Sequence, residues 1–282
     1  MKVHPFKIPK PEKDALIYQE DQDYVFYDKL HQHEEIQVSY ILEGEGTLIV
    51  GDTVNDYRKG DVIVIGSHLP HVFKSKINDQ TKSHMKTLFF TQTAFGVDFF
   101  GLEELKEVKS FFKKSVNGFK LIHKSKKINP LFMQLNAASK FQRFIICLEL
   151  IQILSKSKYS LLSSFIYQKQ YSDTEGKRMG DVMEFTINNF QNNISLHQAA
   201  TVAAMTKNAF CKYFKKRTNK TYFRFLNELR IENASKLLLT QSDYSVAEIA
   251  EHSGYNNISN FNRQFRSIKG VVPSKFKKTK AF

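Results

Sequence analysis

The stretch Ser245–Phe276, SVAEIAEHSGYNNISNFNRQFRSIKGVVPSKF, constrains the fold of this chain more than any other. Val246, Ile249 and Ala250 lie at helical spacing, and the pattern stops at Gly254. A second helical pattern starts near Asn257, with Ile258, Phe261 and Phe265 on its apolar stripe. Two short amphipathic helices joined by a tight glycine-containing turn are the sequence form of a helix-turn-helix. Away from the stripe the second helix carries Asn260, Asn262, Arg263 and Arg266, side chains able to reach base edges and phosphates.

The pattern occurs twice. Ser195–Ala200 corresponds to Ser245–Ala250 at a shift of 50, and Phe210 and Phe214 correspond to Phe261 and Phe265 at a shift of 51. One residue is therefore added at the second turn. Tyr222–Leu239, between the copies, reads as one helix with Phe223, Leu226, Arg230, Ala234 and Leu237 on a common side. A repeated supersecondary unit is far more specific than either copy alone. Two reading helices on a rigid connecting helix fit successive major grooves of one DNA face, about 34 Å apart.

On these residues, Lys177–Lys278 resembles the DNA-binding domain of the AraC/XylS family of bacterial transcription regulators. The resemblance implies a sequence-specific binder of double-stranded DNA, with RNA polymerase as a further partner. It makes Thr206 the N-cap of the first reading helix. Lys207 opens that helix, Asn208, Cys211 and Lys212 take base-facing positions, and Lys216 suits a phosphate or a solvated surface. In the second unit Ser259, Asn262 and Arg263 match the base-facing positions, with Arg266 and Lys269 toward the backbone. Arginine is the commonest reader of guanine and asparagine suits adenine, whereas Cys211 is a poor reader. Arg230 suits a phosphate contact or a bond within the fold equally well. The family usually has glycine where Asn219 stands, and asparagine tolerates the left-handed conformation better than most residues.

Charge agrees with this placement. The 282 residues carry a formal net charge of +14. Lys177–Phe282 holds 18 Lys and Arg against 7 Asp and Glu, so the basic excess lies mainly in the helix-turn-helix half, as phosphate binding requires. Cys147 and Cys211 stand alone, which suggests neither a disulfide framework nor a cysteine zinc site. Met1–Glu20 lacks the apolar core of a signal peptide and no apolar run reaches membrane-spanning length, so the expected location is cytoplasmic, with no membrane partner.

The first half reads differently. Met1–Asp23 is polar with three prolines and is expected to be irregular or an edge segment. Val25–Tyr27, Ile36–Leu42, Thr47–Val50, Asp61–Ile65 and Val72–Phe73 are short β-rich runs split by Gly/Asp turns, which argues a small antiparallel barrel or sandwich. Two stretches, His31–Gly46 and Gly60–His71, resemble the paired motifs of the cupin superfamily. That resemblance implies an interior site formed by His31, His33, Gln37 and His71. Many cupins hold a divalent metal there. In this chain Gln37 stands at the carboxylate position and Gly66 replaces a usual proline. His31, His33 and Gln37 are separated by even numbers and are expected on one strand face. A metal-free ligand pocket is therefore favoured over a metal site, with no cofactor expected and a sugar or related metabolite as effector. Three imidazoles can still bind zinc or another borderline cation.

From Gly101 to Leu162 the period turns helical, with Leu102–Phe112 and Lys140–Ser155 as amphipathic helices. The second has a wide apolar stripe, with Ile145 and Leu148 among its residues. It suits packing on the β domain, a homodimer interface, or both. Lys156–Gly176 has the composition of a linker. The fold class is thus two-domain α+β. It comprises a cupin-like antiparallel β-barrel sensor over 1–100, a helical dimerisation segment over 101–162, a linker over 163–176, and an all-α tandem helix-turn-helix domain over 177–282. The favoured function is a ligand-responsive transcription regulator and not an enzyme. The alternatives are a metal-dependent cupin enzyme fused to a DNA-binding module, and a constitutive DNA-binding protein with a vestigial barrel.

Overall fold

Alternation along β2 (Ile36–Glu43) sets the layers of the first half. Ile36, Val38 and Tyr40 join one apolar cluster, while Gln37, Ser39 and Ile41 face the opposite way. The computed structural model describes residues 14–77, 81–123, 126–165, 173–241 and 243–278, which divide into two units between Gly176 and Lys177.

In the first unit the remaining strands are β1 (Leu16–Asp23), β3 (Glu45–Val50), β4 (Thr53–Arg58), β5 (Val62–Ile65), β6 (His71–Ser75), β7 (Ser83–Phe90), β8 (Phe119–Leu121) and β9 (Tyr159–Leu161). They pair antiparallel in two sheets, β1-β7-β2-β5-β8-β9 and β4-β3-β6. Ile41, Ile63, Ile65 and Met85 of the larger sheet meet Leu48, Val50, Tyr57 and Phe73 of the smaller one. The other face of the larger sheet packs Val38, Val62, Val64, Leu88 and Phe90 against helices α1 (Lys109–Ser115), α2 (Ile128–Gln134) and α3 (Lys140–Lys156). The six-stranded sheet is the middle layer, and β5, whose residues enter both apolar clusters, reads as a continuous apolar run for that reason.

Four expectations change here. The regular strand lies at Leu16–Asp23, within the stretch expected to be irregular, and Val25–Tyr27 is not a strand. β1 is an edge strand whose Gln19 and Asp21 line a polar pocket, so it lacks the apolar alternation that marks a strand in sequence. The Leu102–Phe112 helix is instead 3-10 turns at Phe99–Gly101 and Glu103–Val108 followed by α1. The stretch 101–162 is not purely helical, since β8 and β9 extend the sheet. Of the expected linker, residues 166–172 lie outside the described residues, and helix α4 (Asp173–Asn189) already begins inside it.

The second unit continues with α5 (Leu196–Val202), α6 (Lys207–Thr218), α7 (Tyr222–Thr240), α8 (Val246–His252), α9 (Ile258–Lys269) and α10 (Pro273–Lys278). Both halves of the repeat start on a capping box. Ser195 exchanges hydrogen bonds with Gln198, and Ser245 with Glu248. Ala204 and Gly254 make the left-handed turns, at φ 52° and 85°. Thr206 and Asn257 then cap the reading helices, accepting from the amides of Ala209 at 3.3 Å and Asn260 at 3.0 Å. The turn residues keep the shift of 50 and the caps have the shift of 51, which locates the added residue between Gly254 and Asn257. Asn219 and Gly270 end the two helices at φ 55° and 74°. Asparagine thus takes the left-handed position as expected.

α7 serves both copies. Tyr222, Phe225, Leu226 and Leu229 are buried along its first half, where Phe210 and Phe214 meet Tyr222 edge to face. Ile231, Ala234 and Leu238 enter the cluster of Phe261 and Phe265. Phe223, expected on a common side with Leu226 and Ala234, is exposed where those two are buried. Among the described residues no helix is long and apolar enough to cross a membrane.

Candidate DNA-binding surface and interior pocket

On α6 and α9 the phenylalanines point into the unit, and the residues predicted to read DNA lie on the opposite side. Thr206, Lys207, Asn208, Cys211, Lys212 and Lys216 are all exposed on the first reading helix. Ser259, Asn262, Arg263 and Arg266 are all exposed on the second. The Arg263 guanidinium donates to Asn260 Oδ1 at 2.9 Å, so a neighbour one turn back orients its donor fork. Lys269, expected on the DNA backbone, instead pairs with Glu232 of α7. Arg230 is committed to the fold, donating from Nε to the Phe190 carbonyl at 2.7 Å and from Nη2 to the Asn192 carbonyl at 2.8 Å.

The interior site comes together by a route the sequence did not show. His31 and His33 precede β2 instead of lying on it, and only Gln37 is a strand residue. His31 forms an isolated antiparallel bridge with His71, the first residue of β6, and the two exchange backbone hydrogen bonds at 3.1 and 2.9 Å. The expected shared strand face is therefore wrong. Pairing across the chain brings the rings together.

His31, His33 and His71 are buried, and the ligating atoms they offer all lie within 4.8 Å of one another. Each Nδ1 faces a backbone carbonyl: that of Lys29 at 2.8 Å, Glu35 at 2.9 Å and Leu69 at 2.8 Å. A carbonyl only accepts, so each Nδ1 carries the hydrogen, and in a neutral ring the lone pair is then on Nε2. Burial keeps the rings neutral. It lowers the His31 pKa to about 3, holds His71 well below the ordinary histidine range, and lowers His33 despite its bond to Gln37. Gln37 Oε1 lies 3.2 Å from His33 Nε2 and 3.1 Å from His71 Nε2. Its amide nitrogen donates to Ser39 Oγ at 2.9 Å, and Ser39 contacts Thr87 Oγ1 at 2.9 Å. Three imidazole nitrogens and one amide oxygen form a donor set that fits zinc or a similar borderline cation.

Residues absent from the sequence reading complete the site. Asp21 and Gln19 line the pocket wall, joined by a 2.7 Å hydrogen bond, and burial raises the Asp21 pKa. Tyr27 sets its ring edge-on to His31, with centroids 4.9 Å apart. The Glu35 carboxylate lies 3.9 Å from His33 Nδ1. The pocket is partly open to solvent and its volume is about 50 Å³, small beside the roughly 150 Å³ cavity that holds benzene.

Residues 199–279 match the family model for a helix-turn-helix domain and residues 26–86 that for a cupin domain. The chain is 24% identical over 263 residues to the uncharacterized helix-turn-helix transcriptional regulator YdeC of Bacillus subtilis, which covers 89% of this chain and 87% of that protein. It is 34% identical over 99 residues to an uncharacterized helix-turn-helix regulator in the cgkA 5' region of Pseudoalteromonas carrageenovora, spanning 35% of this chain and 58% of that one. Among solved structures, the DNA-binding domain of AdpA in complex with a target DNA aligns with a TM-score of 0.35 and 24% identity, over 36% of this chain and 91% of that one.

Proposed function

We propose that this chain is a DNA-binding transcription regulator of the AraC type that carries a cupin domain and responds to a ligand. The observation that supports DNA reading most is the repeat itself. Two helices with matched caps, matched buried phenylalanines and matched stops present exposed polar faces within the basic half of the chain. Asn208, Cys211 and Lys212 on α6, and Ser259, Asn262 and Arg263 on α9, take the base edges. Thr206, Lys207, Lys216 and Arg266 hold phosphates. The cupin unit supplies the input through His31, His33, Gln37 and His71. Polar groups in an interior are costly unless a partner, water or ligand satisfies them.

The protein acts as a homodimer in this reading. The buried side of α3 (Ile146, Cys147, Leu150, Ile151 and Leu154) is used by the sheet, but Phe141 is 72% exposed and Ile145 46% exposed. The test is selection of a binding sequence from random duplexes with the full-length protein, followed by binding of that sequence under increasing salt. Specific binding that falls steeply with salt is expected. Equal affinity for selected and random duplexes would overturn the assignment of the reading helices.

A further inference from the structure

The two reading helices differ at one matched pair of positions. At the shift of 51, Ala209 and Lys212 of α6 correspond to Asn260 and Arg263 of α9, and all four are exposed. The first copy sets a methyl group one turn before a point-charge ammonium. The second sets an amide one turn before a planar guanidinium, and Arg263 Nη2 donates to Asn260 Oδ1 at 2.9 Å. A guanidinium only donates, so the amide must present its oxygen. Residues three apart are neighbours on a helix surface, and side chains lean toward the helix N-terminus. The bond thus holds Arg263 over the first turn of α9, the part of a reading helix that contacts base edges. Asn260 is itself fixed, since its backbone amide donates to the Asn257 cap at 3.0 Å and the next residue, Phe261, is fully buried.

We propose that Asn260 is the positioning residue for Arg263: it fixes the arginine in its reading geometry before DNA arrives, and the guanine preference at that base pair depends on it. The proposal rests on the reading of α9 as a DNA-contacting helix with Arg263 at a base edge. A bidentate contact to guanine O6 and N7 needs two adjacent N–H groups in one plane. Nη2 carries two hydrogens. Giving one to Oδ1 leaves the other beside a hydrogen of Nη1 or of Nε, so a complete fork remains whichever one is used. Without the bond the arginine must lose its rotamer freedom on binding, which weakens the matched duplex. A duplex with another base pair there offers no bidentate partner and is little affected. The first copy lacks this device, since Ala209 accepts nothing and Lys212 places three rotatable donors on a flexible stem.

The experiment uses the full-length protein and the duplex it selects, with the three duplexes that differ from it at the base pair where Arg263→Ala relaxes preference. Asn260→Ala is expected to weaken the selected duplex about 2- to 10-fold, the scale of ordering one long side chain on binding. The three altered duplexes and the salt slope should not change. Nor should the melting temperature fall, because the site is exposed and alanine is the better helix former. Adding Asn260→Ala to Arg263→Ala should cost nothing further, since residues that act through one another are not additive. Asn260→Asp keeps an acceptor, so the ratio of selected to altered duplex should stay near wild type while its charge weakens all four alike. Losses that add in the double variant, or a reduced salt slope in Asn260→Ala, show that Asn260 touches DNA itself and overturn the proposal. So does a base preference lost as fully in Asn260→Asp as in Asn260→Ala, or one relaxed by Arg263→Ala and untouched by Asn260→Ala. If Arg263→Ala relaxes no base pair at all, the reading of α9 beneath the proposal has failed instead.

Discussion

Arg230 Nε donates to the Phe190 carbonyl at 2.7 Å, and a Cβ placed on Gly254 would come within 2.6 Å of that same oxygen. The connecting helix, the loop after α4 and the second left-handed turn therefore meet at one backbone carbonyl. Arg230 also donates to the Asn192 carbonyl and lies over the Tyr255 ring at 5.5 Å. Arg230→Ala should lower stability by about 2 kcal/mol, the loss typical of hydrogen bonds from a charged donor. The salt dependence of DNA binding should stay unchanged. Gly254→Ala should destabilise as well, because φ is 85° there and the clash is with backbone. Denaturant titration together with a salt series checks both. A reduced salt slope in Arg230→Ala would mark the residue as a phosphate contact instead.

Arg263 and Lys216 test the two kinds of DNA contact. Arg263→Ala should weaken the selected duplex by about 1–3 kcal/mol and relax preference at one base pair, the scale of a bidentate guanine contact. Lys216→Ala should weaken all duplexes evenly and reduce the salt slope by about one counterion. Equal losses on selected and random DNA in both variants would show that Arg263 does not read a base.

The helix-turn-helix half was legible almost to the residue because each local signal agreed with the global fold. Caps, apolar spacing and stops recur in both copies, and even the position of the added residue follows from two shifts. The first half was legible only in part. β1 has a polar pocket on one face, so its residues resemble a loop, and three-residue strands such as β8 and β9 carry too little pattern to register. The cupin resemblance picked out His31, His33, Gln37 and His71, which the structure brings together, but the shared strand face expected for three of them is replaced by a long-range bridge between His31 and His71. Asp21 and Gln19 had no motif at all. Arg230 was left open between two roles because partners 38 and 40 residues away are invisible to local spacing.

Of the two stripe residues named from the sequence, Ile145 and Leu148, only Ile145 is exposed. Leu148 is packed against the core of its own unit, so a charge there would damage the fold, whereas Phe141 and Ile145 are exposed one turn apart. Phe141→Glu with Ile145→Glu should give a monomer by sedimentation, with a melting temperature close to wild type. Interface cores do not tolerate such charges, while solvent does. A monomeric wild type, or a double variant that still sediments as a dimer, would remove this face from consideration.

The last prediction concerns the end of the cupin unit. The Asp52 carboxylate is fully buried in the turn between β3 and β4. It accepts from Ser163 Oγ at 2.8 Å, from the Ser164 amide at 2.9 Å and from Ser164 Oγ. Asn55 and Thr53 donate to the Leu162 carbonyl, and Asn117 donates to that of Ser163 at 3.1 Å. The hairpin therefore fixes the chain where it leaves the last strand. Asp52→Ala removes the acceptor of three hydrogen bonds, and because Ser164 is exposed and Ser163 Oγ also reaches the Phe165 carbonyl at 2.9 Å it should cost about 1–3 kcal/mol. Asp52→Asn should cost less. Its oxygen can still accept from Ser163 and the Ser164 amide, and its NH2 can donate to Ser164 Oγ. Hydrogen exchange gives the local readout, because the Ser164 amide should lose protection in Asp52→Ala and keep most of it in Asp52→Asn. Equal exchange in the two variants, or unchanged stability in Asp52→Ala, would show that the clasp contributes nothing to holding this end of the unit.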